Sequence, residues 1–444
     1  MKRIAKQTRH QLLSAFWIGV LLILILAPLA LFFIDRPPAR EFWREFSVAL
    51  GFVGLALMGL QFIPTSRFPF MLNTFPVDTL YLVHHWSSII SFGFILAHPV
   101  VLVLNNPNVL RLFNLFTAPW RARAAVVSLL ALIVLVVVSV WRKELFIKYE
   151  PWHWIHILLS VAAAGLAFWH IFGVGYHTGI LSQRVLWISY GVVWGGMAIY
   201  VRLIHPLIQL ANPYEIAEIT EMRNDAWTLD IAPKGHEGFR FKAGQIAWLT
   251  INQSPFLIRE HPFSLASSAE RLDTYKFTIK NLGDFTSKID EFKPGTRVYI
   301  DGPYGTFNLD RYPAPGYIFI AGGIGSVPII SMLRTMADRD DQRPVVFFYG
   351  NRNWDEVAFR DELVKLKDQL NLTLVHILEK APDSWEGEVG LITPEVLHRH
   401  LPEEAAEWVS FICGPDPMIP FVKQGLKEMR IPQSQIHSEL YKMA

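Results

Sequence analysis

At 444 residues the chain is long enough for two or three domains. Its 52% hydrophobic content and mean hydropathy of +0.28 are high for a soluble protein, and the apolar excess lies before about residue 210. A formal charge of +2 is too small to imply nucleic-acid binding, and one cysteine, Cys413, excludes intrachain disulfides, thiolate-held iron–sulfur clusters and Cys-rich zinc sites.

Lys2, Arg3, Lys6 and Arg9 precede an uncharged run, Leu12–Ile34, that is too long for a signal-peptide core and reads as a retained span. Further spans are expected at Phe46–Ile63, Thr79–Leu104, Ala124–Val140, Trp152–Tyr176 and Val185–Val201. Six spans place both ends on one side, and the early basic cluster points to the cytoplasm. Arg36, Arg40, Arg44, Arg111, Arg121 and Arg123 then fall in the outer loops, against that bias.

Within the third and fifth spans, His84 and His98 repeat the spacing of His156 and His170, fourteen residues in each case. Fourteen residues is almost four turns, so the two histidines of a pair share a helix face about 21 Å apart. Two such helices running parallel would bring His84 to His156 and His98 to His170. That arrangement suits two stacked b-type haems with bis-imidazole ligation. Lone histidines in apolar helices are usually structural, but ionisable residues inside a membrane default to function and the spacing is repeated. His85 points about 100° away from His84 and is the alternative inner ligand. His153 and His177 sit near span ends.

After Val201 the chain changes character. Segments Glu215–Glu221, Ala226–Ile231, Gln245–Ile251, Tyr275–Lys280 and Arg297–Asp301 alternate with Gly, Pro and charged turns, as in a small antiparallel barrel. From Tyr317 strands alternate with helices: strands Tyr317–Ala321, Val345–Tyr349, Leu372–Leu378 and Trp408–Ile412, with a helix at Asp355–Leu370. That alternation implies a parallel sheet. The fold class is therefore a multi-domain membrane protein. A six-helix transmembrane bundle (1–210) precedes an antiparallel β-barrel domain (211–312) and an α/β parallel-sheet nucleotide-binding domain (313–444).

Six segments carry chemistry: His261-Pro-Phe-Ser-Leu-Ala-Ser267, Gly283-Asp-Phe-Thr-Ser287, Asp301-Gly-Pro-Tyr-Gly305, Ala321-Gly-Gly-Ile-Gly-Ser-Val-Pro328, Tyr349-Gly-Asn-Arg352 and Cys413-Gly-Pro-Asp-Pro-Met418. In this order they resemble the ferredoxin–NADP reductase superfamily. With the paired histidines, nearly the whole chain resembles the ferric reductase and NADPH oxidase family. The resemblance implies FAD, NADPH or NADH, and two haem b groups held by His84, His98, His156 and His170. The FAD residues it implies are His261, Pro262, Phe263, Ser264, Leu265, Gly302 and Gly283-Asp284-Phe285-Thr286-Ser287. Phe263 would pack on the flavin ring and Ser264 would hydrogen-bond its reactive edge. Histidine at 261, where the superfamily often has arginine, resembles the membrane oxidase branch. Gly283 through Ser287 would open a helix whose free amides bind phosphate; the plain alternative is a capped turn.

Gly322, Gly323 and Gly325, between a strand and a helix, would let the backbone approach a pyrophosphate. Arg352 at the next strand tip, with no acidic residue there, favours NADPH over NADH. Cys413 and Gly414 fall where the family places its nicotinamide, although a free cysteine is often a small buried hydrophobe. The family's oxidases end on a phenylalanine against the flavin. Here Tyr441 would supply that ring, with three residues after it, so Ser264, Cys413 and Tyr441 form the expected catalytic set.

The implied activity takes electrons from NADPH through FAD and the His84/His156 and His98/His170 haems to a small extracytoplasmic acceptor, dioxygen or a ferric chelate. No protein partner is indicated. The expected setting is a bacterial plasma membrane, with the N-terminus and the dehydrogenase in the cytoplasm. Two alternatives stay open: a membrane cytochrome serving a protein or quinone partner, and a membrane-anchored flavin reductase without haem.

Overall fold

The computed structural model describes residues 2–35, 37–257 and 259–440. Tyr441 and Arg36 lie outside the described residues. The chain divides into two compact units, one of residues 11–71 and 79–205, the other of residues 1–10, 72–78 and 206–444.

Among the described residues six helices are long and apolar enough to cross a membrane: Leu12–Ile34, Phe42–Thr65, Val77–Asn105, Trp120–Val140, Tyr149–Val174 and Leu181–Ala211. The underlying elements are α1 (Lys2–Ile34), α2 (Phe42–Leu60), α3 (Phe62–Thr65), α4 (Pro69–Leu72), α5 (Val77–Asn105), α6 (Trp120–Val140), α7 (Tyr149–Val174), α8 (Leu181–Ile199) and α9 (His205–Ala211). A π-helical turn, Tyr200–Ile204, joins the last two. All six expected spans are present, the first five within about four residues of their sequence-based bounds, while the sixth runs on to Ala211 rather than ending at Val201. Helices are the form such apolar runs must take in lipid, because every backbone polar group has to be satisfied within the segment. Side chains such as Ile23, Leu158 and Val192 face outward, as a lipid environment requires.

Polar contacts step down neighbouring helices every seven residues, or two turns. Between α2 and α5 they fall at Ser47 with His98 and at Gly54 with Ser91, and the next step pairs Gln61 with His84. Between α6 and α7 they fall at Arg121 with His170 and at Ser128 with Ala163. The middle contacts are serine hydroxyls donating to carbonyls: Ser91 to Gly54 at 2.8 Å and Ser128 to Ala163 at 2.7 Å. The fourteen-residue histidine spacing is thus two heptads of antiparallel helix packing.

In the other unit, β1 (Tyr214–Met222), β2 (Ala226–Pro233), β3 (Ile246–Ile251), β4 (His261–Ser264), β5 (Tyr275–Lys280) and β6 (Arg297–Tyr304) form an antiparallel sheet in the order β4-β3-β6-β1-β2-β5. A bridge between Leu265 and Phe277 brings the two edges together, and Ile216, Leu229, Leu249 and Phe277 fill the interior. The expected strands are all present; β4 is an addition. Its His-Pro-Phe-Ser segment has no apolar alternation, yet it pairs with β3 as an edge strand, where Pro262 is tolerated.

A second sheet holds β7 (Tyr317–Gly322), β8 (Val345–Asn351), β9 (Leu372–Leu378), β10 (Glu388–Val389), β11 (Val409–Gly414) and β12 (Ile436–Leu440), all parallel, in the order β10-β9-β8-β7-β11-β12. Helices α10 (Ser326–Asp338), α11 (Arg360–Gln369), α12 (Pro394–His400) and α13 (Met418–Glu428) cover it, with separate apolar cores on the two faces. The helix expected at Asp355–Leu370 is shorter. Asn353 instead caps a single turn, Trp354–Glu356, and the α-helix begins at Arg360. The sheet order reverses between β7 and β11, which opens a crevice at their carboxyl ends.

Candidate functional site

In the membrane unit the histidines meet as the spacing predicts. The His84 and His156 rings lie 6.2 Å apart between centroids, and those of His98 and His170 lie 6.5 Å apart. A metal ion bound to two imidazole nitrogens at about 2 Å each would separate the centroids by roughly 6 Å. The residues therefore fit a bis-imidazole centre at both levels. His85 is exposed and turned away, beside Trp86, so His84 is the member that faces the partner helix.

The distal nitrogens are held in place. His98 Nδ1 donates to the Ser47 carbonyl at 2.8 Å, and Ser47 Oγ lies 2.9 Å from the same nitrogen. His170 Nδ1 donates to the Arg121 carbonyl at 2.9 Å. Those bonds fix the tautomer, leaving each Nε2 lone pair free for a metal. His156 Nδ1 sits 3.2 Å from Ser139 Oγ. Gly51 makes room for the His98 ring, since a Cβ there would stand 3.3 Å from His98 Cγ. Among the described residues no cluster of three or more His, Cys, Asp or Glu side chains forms a metal cage.

His177, which lies between the last two spans, belongs to a different group. Its Nε2 is 2.9 Å from Glu45 Oε2 and 3.2 Å from Arg40, and its ring stacks on Phe32 at 4.5 Å. Burial is the largest influence on this imidazole and lowers its pKa despite the nearby Glu45 carboxylate.

The flavin segments converge through Phe285. Its ring stacks on His261 at 3.9 Å and 21°, and lies 6.2 Å from Phe263. Ser264 is buried at the end of β4, against Ile246 of β3. One expectation changes here, and two residues show a packing role. Gly283–Ser287 leads into a short 3-10 turn, Thr286–Glu291, rather than an α-helix. Thr286 Oγ1 already accepts from the amides of Leu282 and Gly283, so those donors are used internally. Leu265 is fully buried in the barrel core, which leaves only its backbone for a cofactor. Gly302 serves strand packing, because a Cβ there would stand 2.7 Å from Ala247 Cβ.

The dinucleotide turn divides its glycines by task. Added Cβ atoms would meet Pro415 Cδ at 2.8 Å from Gly322, the Cys413 carbonyl at 2.3 Å from Gly325, and Gly322 N at 3.0 Å from Gly414. These three let β7, the turn and β11 close on one another. Gly323, at φ +54 with nothing near its missing Cβ, leaves its surroundings open to an approaching phosphate. Arg352 is exposed just past the tip of β8, and its carbonyl accepts from the Lys380 amide at 2.7 Å.

Cys413 is buried within the core cluster. Burial, and secondly the Glu439 carboxyl, push its thiol well above the ordinary range, so it is a neutral S–H and not a thiolate. Sequence reasoning missed Glu439 itself. It pairs with Cys413 across β11 and β12, and its Oε2 is buried without a hydrogen bond. Burial, and then the Asp78 carboxylate, push its pKa up to about 8. The absent signal was β12: a five-residue strand near the chain end carries too little pattern to announce which residues its parallel neighbour will bury.

A barrel and a parallel sheet with a nucleotide crevice, on a chain with six helices long and apolar enough to cross a membrane, give the layout of a flavin and nicotinamide module attached to a membrane bundle. Residues 50–167 match the ferric reductase like transmembrane component family, 211–308 an FAD-binding domain and 319–424 the oxidoreductase NAD-binding domain. The chain thus has the ferric reductase and NADPH oxidase-like architecture. It is 30% identical over 234 residues to the propane 2-monooxygenase reductase component of Mycolicibacterium smegmatis, covering 50% of this chain and 65% of that one. It is 29% identical over 195 residues to NADH-cytochrome b5 reductase 1 of Lodderomyces elongisporus, covering 43% and 65%. The match thus spans less than two thirds of the length of these relatives. An Amycolatopsis cytochrome P450 reductase structure aligns over 52% of this chain and 69% of its own, with TM-score 0.45 and 22% identity.

Proposed function

We propose that this protein passes electrons from NADPH, through FAD and two b-type haems, across the membrane to a small extracytoplasmic acceptor, dioxygen or a ferric chelate. The observation that carries the reading is the two histidine pairs, each one metal ion apart, in a bundle joined to a flavin and nicotinamide module. When bound, FAD takes a hydride as an electron pair and releases electrons singly, and bis-imidazole haem carries single electrons.

The chain's own residues do the positioning. Gly323 admits the nucleotide phosphates, and Phe263, His261 and Phe285 offer apolar faces for the flavin. Ser264 presents a hydroxyl, and Cys413 and Glu439 line the nicotinamide end without charge at neutral pH. The histidines would place two acceptors at successive depths of the bundle, His84 with His156 and His98 with His170. The two imidazoles of each pair would hold an iron between them, so a small acceptor would be reduced without binding the metal. Arg352 favours NADPH through the 2′-phosphate. The alternative, NADH, is supported by the cytochrome b5 reductase relatives named for it.

The test is spectroscopic. Anaerobic protein should show haem absorption, and NADPH should reduce flavin and haem together. His98→Ala should remove one haem and end acceptor reduction while flavin reduction persists. Arg352→Ala should raise KM for NADPH about tenfold or more, in keeping with a lost charged contact of about 1.5–3 kcal/mol, and leave NADH unchanged. Preparations containing flavin but no haem would sink the transmembrane pathway, leaving a membrane-anchored flavin reductase.

A further inference from the structure

The segment between α5 and α6 is apolar where a water-facing loop would be polar. Asn106 caps a 3-10 helix, Pro107–Phe113, by accepting from the Asn108 amide at 3.1 Å. The chain then turns at Asn114 and enters α6 at Trp120. Leu110, Leu112, Phe113, Leu115, Phe116 and Trp120 are all exposed, Phe116 by 89% and Trp120 by 74%. A run of exposed apolar side chains on one segment marks a surface that meets lipid or protein. No acidic residue stands between Asp78 and Glu144, whereas Arg111, Arg121 and Arg123 lie in or beside the segment.

The depth of the segment follows from its two stems. The Arg121 carbonyl accepts from His170 Nδ1 at 2.9 Å, so α6 starts level with the His98–His170 pair. Helix α5 continues from His98 to Asn105, a further rise of about 10 Å, and Asn105 Nδ2 is tied to Glu41 Oε2 at 2.7 Å. The segment must therefore return about 10 Å along the bundle before α6 begins. Its exposed side chains follow on from the outward-facing Leu104 of α5 and lead to Val127 and Leu130 of α6. Its backbone closes on itself. The amides of Val109, Asn114 and Ala118 donate to the carbonyls of Asn106, Arg111 and Asn114, at 3.0, 3.3 and 3.0 Å. Asn114 Oδ1 accepts from the amides of Phe116 and Thr117, at 2.9 and 3.1 Å. Arg123 donates back to the carbonyls of Phe116 and Ala118, at 2.7 and 2.6 Å, with its guanidinium 4.8 Å from the Trp120 ring. Water would satisfy such groups unaided, so their closure matters where water is scarce.

We propose that residues 106–119 form an interfacial element, seated in the headgroup and upper acyl zone of the leaflet at the His98–His170 end of the bundle. Leu112, Phe113, Leu115 and Phe116 enter the acyl boundary together with Trp120, an aromatic suited to that depth. Arg111 and Arg121, both exposed, meet the phosphates, so anionic phospholipid is the favoured partner. Continuity with the outward-facing surfaces of two spans, and arginine without acid, favour lipid over a second protein as the occupant. The inference needs neither haem nor flavin.

The experiment uses the full-length protein in vesicles. Cys413 is buried, so a thiol-directed fluorophore should label an introduced surface cysteine and leave the parent unlabelled. Phe116→Cys carrying a nitrobenzoxadiazole label is placed in phosphatidylcholine vesicles with and without phosphatidylglycerol. Its emission should lie to the blue of the same label at Val364→Cys, an exposed site on α11. Nitroxides high on the lipid chains should quench it more than nitroxides near the chain ends, and aqueous iodide should quench it less than at Val364→Cys. Phosphatidylglycerol should strengthen the shallow quenching, and Arg111→Gln should abolish that gain. Iodide quenching equal to that at Val364→Cys would put the segment in water and overturn the inference. Shielding from both quenchers, the mark of a protein partner or a second copy, would overturn it too, as would strongest quenching from the chain ends. Equal shallow quenching in the two kinds of vesicle would overturn the assignment to anionic lipid. Leu112→Cys carries the same test if Phe116→Cys fails to fold.

Discussion

At the scale of residues, the membrane half depends on small groups that let imidazoles reach backbone oxygen. Gly51 stands one turn after Ser47, and the His98 ring lies in the space its missing side chain leaves. Gly51→Val would drive a branched side chain into that ring, an overpacking that costs about 1–3 kcal/mol in a well-filled interior. His98 should then lose its bond to Ser47. We expect haem content to fall from two per chain toward one, read by pyridine haemochrome assay, with the His84–His156 component retained. Full haem content would show that the ring does not depend on this contact. His84 and His85 illustrate the same scale from the other side. Sequence spacing allowed either, and only the helix rotation observed in the structure turned His84 inward.

At the scale of elements, α10 joins the flavin lobe to the nucleotide lobe. Arg334 grips Glu362 of α11 with two bonds, at 2.6 and 2.7 Å, and donates to the Ala266 carbonyl beyond β4 at 2.7 Å. Ser331 Oγ donates to the Ser267 carbonyl at 2.7 Å alongside it. The segment after the His261–Ser264 strand is therefore pinned by the helix that follows the dinucleotide turn. Arg334→Ala should destabilise the dehydrogenase by about 1.5–3 kcal/mol, the range for hydrogen bonds to charged groups. A lowered thermal midpoint and faster FAD loss on dilution would register it. An unmoved midpoint would mean that apolar packing alone holds the lobes. Periodicity revealed the other barrel strands and four of the parallel strands, but not β4, β10 or β12. All three owe their conformation to the strand beside them, since their own residues lack alternation or length.

At the scale of the whole unit, buried titratable groups set pH limits on the dehydrogenase. His376 and His437 are each lowered to about 4, from an ordinary 6.5, chiefly by burial. Both are neutral when folded, so the unfolded chain binds more protons below pH 6.5, and stability falls as pH drops toward about 4. Glu439, raised to about 8 from 4.5, acts in the opposite sense. The folded state keeps its proton while the unfolded state loses it, so stability falls as pH rises between those values. Glu439→Gln should flatten the alkaline decline of the thermal midpoint between about pH 5 and 8 while leaving the acid decline in place. An alkaline slope equal to that of the parent would show that the carboxyl is ionised in the fold.

Much of this protein was written along the chain. Apolar runs determined six spans, because lipid allows an uncharged segment few alternatives to a helix. The repeated fourteen-residue interval determined that the histidines would pair, because helical pitch converts spacing into direction. Ordered glycine turns and strand alternation determined the flavin and nicotinamide lobes. Tertiary structure decided the rest. It packed Leu265 into the barrel core and Gly302 against Ala247, and it used the Gly283 amide within its own turn. It brought Glu439 to Cys413 through a strand too short to recognise. It also set a serine hydroxyl beside His156 where His98 and His170 meet backbone carbonyls, since hydrogen-bond partners lie on neighbouring helices whose registration no single segment encodes.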